Sequence, residues 1–272
     1  MQLTVACGQM SSETLNPPAN LRIAGELIQE AADCGAKLVL IPEFFTTDCI
    51  YDRKLKEFAE PIDGPTTKWM TTQSRRTGCY LGGGVLELSG DKMYNTFVMA
   101  APSGETWSYR KQNPAFFEKF YFHAGRKPGI FNTPLGRIGV LICWDMVHKR
   151  MLQQLRGRCD MLLISAAWPD MTTGNYPVLG FQGWMSRQPD SRPPFLAREL
   201  QVPVMFCNST GDFSTRVPGL GLTYRSQYAG GTAIYSADGQ TLNSLGQEQA
   251  LVTASIQPGR LSRTPAVISK AA

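Results

Sequence analysis

Residues 139–147, GVLICWDMV, carry the reading on which the fold turns. From Gly139 to Cys143 there is no charge and no polar side chain other than the thiol. A short apolar run of this kind reads as a strand built for burial. It then breaks into Trp144-Asp145, so the thiol stands at the strand's end with a carboxylate two places later. A packing cysteine fits anywhere in such a run. A reactive one is better placed at the end, where the chain turns and substrate can reach it.

On either side of this strand the chain alternates strands and helices. Leu3 to Met10 reads as a buried strand, and Asn16-Pro17-Pro18 opens a helix that Gly35 closes. Lys37 to Ile41 is a short apolar strand, Pro65 starts a helix ending before Gly78, and strands follow at Tyr80–Leu88 and Tyr94–Ala100. Pro102-Ser103-Gly104 turns the chain into a strand through Trp107 and Tyr109. The hairpin FNTPLGRIGVLI leads into Cys143, and a helix is expected from about Val147 to Arg156. MLLISAAW, VPVMFCN, GGTAIYSADGQTL and QALVTASI read as later strands or hairpins, with a helix over Pro194–Leu200. Strands that come both singly between helices and in pairs imply two sheets covered by helices, a four-layer αββα sandwich. The expected organisation is one domain over 1–272, with a core of about 2–257 and a C-terminal tail at 258–272. The segment Trp168 to Pro194, rich in Gly, Pro, Asn and Ser, is a candidate binding loop.

Charge excludes several function classes. The 27 basic and 22 acidic residues are dispersed, with no basic arm, so neither nucleic acid nor a membrane surface is an expected partner. No apolar stretch approaches the ~18 residues of a membrane span, and MQLTVACGQM lacks the pattern of a secretory signal. Seven scattered cysteines, an odd number, suggest reduced thiols in a cytoplasmic protein. There is no H-x-x-x-H or C-x-x-C spacing and no Walker loop, so neither a metal nor an organic cofactor is expected. Gly82-Gly83-Gly84 lies inside a strand pattern and reads as close backbone packing.

What remains is a set of reactive groups at strand ends. Ile41-Pro42-Glu43 ends a strand with a carboxylate, Tyr109-Arg110-Lys111 with an ammonium, and Ile142-Cys143 with a thiol. If the three ends converge, a carboxylate can take the thiol proton and later activate water. The ammonium and a backbone N–H after the cysteine can hold an oxyanion, and the ammonium with a helix N-terminus is expected to lower the thiol's pKa.

These segments resemble the nitrilase (carbon–nitrogen hydrolase) superfamily. LVLIPEFF at 38–45, YRK at 109–111 and GVLICWD at 139–145 are similar to its three signature segments, in that order. Ala197-Arg198-Glu199-Leu200, Asn208, Gly230-Gly231-Thr232 and Asp238-Gly239 are similar to its later segments. The resemblance implies an αββα sandwich with Glu43 as general base, Lys111 as stabilising cation and Cys143 as nucleophile. It further implies Glu118 as an auxiliary glutamate holding the lysine, and the Trp144 N–H in an oxyanion hole. Trp144, Trp168 and Phe117 are expected to line the substrate pocket, with Asp145 holding the turn and His123 in a structural loop role.

The implied activity is cleavage of a small-molecule amide or N-carbamoyl bond, less readily a nitrile, through a Cys143 thioester. Two rivals stand beside it: an acyltransferase or amide synthase using the same acyl-enzyme, and a non-catalytic binding protein that kept the fold. A homodimer or larger even-numbered homo-oligomer is expected by the same resemblance. The sequence also departs from the family pattern. Gln112-Asn113-Pro114 follows the lysine, and His148-Lys149 stands where a Pro-Glu pair is common, with Arg150 retained.

Overall fold

The computed structural model describes residues 2–176 and 182–259, so most of the expected tail at 258–272 lies outside the described residues. In chain order the elements are β1 (Leu3–Gln9), α1 (Pro17–Asp33), β2 (Leu38–Leu40), α2 (Pro65–Thr77), β3 (Tyr80–Ser89) and β4 (Lys92–Ala100). Next come β5 (Thr106–Arg110), β6 (Ile130–Thr133), β7 (Gly136–Ile142), α3 (Lys149–Leu155), β8 (Met161–Ser165) and β9 (Pro169–Asp170). The rest are α4 (Gln182–Ser186), α5 (Gln188–Leu200), β10 (Val204–Cys207), β11 (Asp212–Arg216), β12 (Thr223–Tyr228), β13 (Ala233–Tyr235), β14 (Thr241–Ser244) and β15 (Ala250–Ile256).

Two six-stranded mixed sheets form the centre. One has the order β15-β1-β2-β3-β4-β5 and the other β14-β13-β10-β8-β7-β6. The strands β1, β2 and β3 run parallel in the first sheet, as do β7, β8 and β10 in the second. Period-two side-chain alternation assigns the layers. Leu38 and Leu40 of β2 belong to the apolar cluster shared with β7, β8 and β10. Val39 and Ile41 instead pack with Ala24, Ile28 and Met70 of α1 and α2. Helices α3 and α5 cover the second sheet through Leu152, Leu155, Leu196 and Leu200. The αββα sandwich expected from the strand pattern is the observed fold.

Local signals operate where the residues placed them. Asn16 accepts a hydrogen bond from the Ala19 N–H (3.4 Å) at the start of α1, and Pro17 occupies its first turn. Gly78 ends α2 with φ +70°, a left-handed backbone that glycine adopts at little cost.

Three segments differ from expectation. Helix α5 begins at Gln188 rather than at Pro194. Pro193 and Pro194 lack backbone donors yet sit inside the helix, which is already under way where the Ser191 N–H bonds to the Arg187 carbonyl (3.1 Å). The helix expected at Val147–Arg156 spans only Lys149–Leu155, preceded by a 3-10 turn at Cys143–Val147. A third sheet, β11-β12-β9, went unread in the sequence. Its strands DFSTR and TYRSQY alternate buried and exposed positions but carry little aliphatic content, so the period-two signal is weak.

Among the described residues no helix is long and apolar enough to cross a membrane. All seven cysteines are free, and only Cys34 is exposed.

Candidate active site

Parallel strands gather their carboxyl ends on one rim of a sheet, and ligand sites form there. Glu43 follows β2, Cys143 follows β7, Ala167 follows β8 and Lys111 follows β5. The two sheets are tied together at this rim: Ser165 Oγ donates to the Ile41 carbonyl (3.0 Å), and the Ala167 N–H donates to Glu43 Oε2 (2.8 Å).

Lys111 Nζ lies 2.8 Å from Glu43 Oε1 and 2.9 Å from Glu118 Oε1, and it is 1% exposed. Both carboxylates are equally shielded from water. The other oxygens are also occupied: Glu118 Oε2 accepts the Ala115 N–H (2.7 Å) and Glu43 Oε2 accepts the Ala167 N–H, while Glu43 Oε1 accepts Asn95 Nδ2 (2.6 Å) as well as Lys111. Glu118 therefore pairs with the buried Lys111 and not with its exposed sequence neighbour Lys119. Asn95, in the middle of β4, was not singled out from sequence. An amide side chain in the middle of the strand KMYNTFVMA is the signal it leaves.

Backbone geometry aims these groups. Glycine at 84 lets β3 approach the Glu43 backbone: a Cβ there would stand 2.7 Å from Glu43 Cα. The same requirement holds along the run, since a Cβ at Gly83 would meet the Ile41 side chain at 2.6 Å. Six non-glycine residues among those described have positive φ, and three lie at this site: Phe44 (+54°), Phe116 (+33°) and Cys143 (+47°). Left-handed backbone at a non-glycine residue costs roughly 1–2 kcal/mol, and such strain concentrates at functional sites. At Cys143 it makes the elbow between β7 and the 3-10 turn.

Asp145 fixes that elbow. Its carboxylate accepts from Tyr109 Oη (2.8 Å), the Ile142 N–H (3.2 Å), the Asn113 N–H (3.0 Å) and Asn113 Nδ2 (2.8 Å). The departure at Gln112-Asn113 thus has a structural role: Asn113 joins the lysine loop to the cysteine elbow. At the other departure, Lys149 and Arg150 are exposed, while the His148 ring stands edge-on to Trp144 at 6.1 Å. His123 is exposed and its ring packs beside Tyr94.

Burial shapes the electrostatics of the cluster. It pulls the Lys111 ammonium down, but Glu118 and Glu43 outweigh it and hold the lysine well above its ordinary value. Burial pushes the Glu118 carboxyl up to about 7, with Lys111 opposing and Glu43 adding to the rise. Burial likewise pushes the Cys143 thiol up; Glu43 raises it further, Lys111 lowers it and Glu118 raises it again. A lowered thiol pKa was the expectation from sequence, and the structure corrects it. The lysine is present, but burial and two carboxylates act against it and hold the thiol above its ordinary value.

Cys143, Glu118 and Ala167 face a cavity of about 530 Å³. Trp144, Trp168 and Phe117 line it. Trp168 is fully buried and donates Nε1 to the Met185 carbonyl (3.1 Å), and its ring lies 5.3 Å from that of Trp144. Cys49, Tyr51 and Phe116 also line the cavity, as do Phe213 and Tyr224 from the unread third sheet. Among the described residues no cluster of His, Cys, Asp or Glu is arranged to hold a metal ion.

The carbon-nitrogen hydrolase family model matches residues 4–266. The chain belongs to the carbon-nitrogen hydrolase family. It is 37% identical over 145 residues to a nitrilase of Pyrococcus abyssi, covering 52% of this chain and 55% of that protein. Over 168 residues it is 34% identical to the omega-amidase NIT2 of Danio rerio, covering 57% of this chain and 60% of the relative. The match thus spans little more than half the length of these curated relatives. A CN-hydrolase superfamily structure from Xanthomonas campestris superposes with TM-score 0.76 at 24% identity, covering 94% of this chain and 91% of that one. An amidase from Nesterenkonia sp. AN1 superposes with TM-score 0.77 at 20% identity, covering 95% of each chain. That structure carries acrylamide added to its active-site cysteine. Both likenesses establish the family's fold.

Proposed function

We propose that the protein is a thiol-dependent hydrolase of small-molecule C–N bonds, with an amide or N-carbamoyl group as substrate. The observation that carries this reading is the buried Glu43–Lys111–Glu118 cluster set beside Cys143 at the floor of an open cavity. The names of curated relatives, omega-amidase and nitrilase, support C–N chemistry in general.

Glu43 takes the Cys143 proton as the sulfur attacks the carbonyl carbon, so the raised thiol pKa calls for a base at the moment of attack. The C–S bond forms and the carbonyl π pair moves to oxygen. Lys111 and the Trp144 N–H stabilise that oxyanion. The C–N bond then breaks, the nitrogen takes the proton from Glu43, and ammonia or an amine leaves a thioester. Water gives a proton to Glu43 and attacks the thioester carbon; the C–S bond breaks and the sulfur takes the proton back. Glu118 keeps Lys111 charged and oriented throughout.

Alkylation by iodoacetamide, mapped on all seven cysteines, tests the assignment without a known substrate. Cys34 reacts as an ordinary exposed thiol. Cys143 reacts faster than the other buried cysteines, and Glu43→Gln slows it by about tenfold or more. Cys143 reactivity that is indifferent to Glu43→Gln contradicts the general-base role.

A further inference from the structure

The cavity above Cys143 has a composition that selects among amides. Its walls are aromatic and aliphatic: Phe117, Trp144, Trp168, Met185, Phe213 and Val217 are representative. Its volume of about 530 Å³ lies within the roughly 300–1,000 Å³ of small-molecule sites. Among the described residues the only charged side chain in the lining is Glu118, and that carboxyl is already held by Lys111 and the Ala115 N–H. No Arg, Lys or His is present in the described lining. Lys111 itself is occupied on both sides by carboxylates. The nearby Arg192 is spent on the Met146 and Val147 carbonyls and lies over the Phe195 ring.

The outer rim continues this character. Phe116, Tyr176, Leu220 and Leu222 line the cavity and are exposed. Leu220 and Leu222 come from the connection between β11 and β12, so the third sheet supplies part of the rim. Two polar atoms of the wall are engaged with the protein: Thr215 Oγ1 accepts the Tyr51 N–H (2.7 Å), and the Tyr224 hydroxyl faces Met171 Sδ (3.8 Å).

Building on the hydrolase reading above, we propose that the acyl group accepted by this site is uncharged and apolar, a hydrocarbon chain or an arylalkyl group. Amides whose far end is a carboxylate are excluded. A carboxylate carried into this cavity would lose its water and meet no cation, and a nearby Glu118 would repel it. An alkyl or aryl group loses only unfavourable contact with water, and each buried methylene improves its binding.

The test compares length-matched amides on the full-length protein, with ammonia release as readout. In hexanamide and glutaramate the chains match in length, but the second ends in a carboxylate. The expected kcat/KM ratio favours hexanamide by about 100-fold or more. Along propanamide, butanamide, pentanamide and hexanamide, kcat/KM rises by about fourfold per methylene. Equal or better turnover of glutaramate overturns the proposal, as does a flat chain-length series. Binding to Cys143→Ala, followed by the fluorescence of the cavity residues Trp144 and Trp168, separates this claim from the hydrolase reading. Tighter binding of hexanamide without turnover by the native protein upholds the ligand class and overturns the hydrolase. Tighter binding of glutaramate overturns the ligand class whatever the turnover.

Discussion

Lys111 shows how burial and charge divide the work at the scale of a residue. A buried ammonium between two buried carboxylates leaves one negative charge in excess when all three are ionised, and burial settles that excess on Glu118, pushed up to about 7. The ionised form of Glu118 accepts from both Lys111 and Ala115, an arrangement a proton on that carboxyl disrupts. The rate should therefore rise with pH through about 7, and the limb should disappear in Glu118→Gln. A profile of kcat against pH for the two proteins checks this. Replacing Glu43 by Gln should lower kcat by about 10²–10⁴-fold with the fold intact. Lys111→Met should cost about 10²–10³-fold through loss of oxyanion stabilisation, and also destabilise the protein by leaving two unpaired buried carboxylates. Circular dichroism melts beside the kinetics separate the two effects. The three strand-end groups were legible in sequence because each closes an apolar run with a reactive atom. Asn95 was not, because its role arises only when β4 lies beside β3 and delivers Nδ2 to Glu43.

At the scale of elements, the elbow after β7 and the glycine run of β3 are the parts that place the chemistry. Asp145 accepts four hydrogen bonds in a fully buried position. Asp145→Asn would face one of those donors with another donor and should cost about 1–3 kcal/mol, measurable by urea denaturation. Gly84→Ala should lower both stability and activity, because its Cβ would press on Glu43 Cα and neither backbone can yield easily. A cost of about 1–3 kcal/mol is typical of such overpacking, and retention of full activity in Gly84→Ala would show that Glu43 tolerates the shift. Turn and cap signals made α1, α2 and the first five strands readable, since Asn16, Pro17, Pro65 and Gly78 each act within one turn of the backbone. The start of α5 and the strands β11 and β12 were not. Prolines at 193 and 194 mimic a helix start inside a helix, and the third sheet gains its apolar environment only from the cavity it closes.

At the scale of the whole molecule, two sheets meet so that four strand ends from both layers form one site. The family's fold explains why Glu43, Lys111 and Cys143, separated by 68 and 32 residues, come together: each ends a strand on the same rim. The cavity could not be read from sequence, since its walls come from the 49–51 segment, the 115–118 loop, α4 and the third sheet. Its aromatic content belongs to residues that a linear reading assigns to packing. The cavity holds a second thiol, Cys49, buried and pushed up by desolvation, with Glu118 and Glu43 adding to the effect. The central claim is that acyl transfer runs through Cys143 and not through this neighbour. The direct measurement is rapid acid quench of the protein during turnover of a primary amide, followed by intact mass and peptide mapping. The account predicts one acyl group in thioester linkage on the Cys143 peptide, absent in Cys143→Ala, together with loss of ammonia release in that variant. An acyl group on the Cys49 peptide, or undiminished ammonia release from Cys143→Ala, would contradict it.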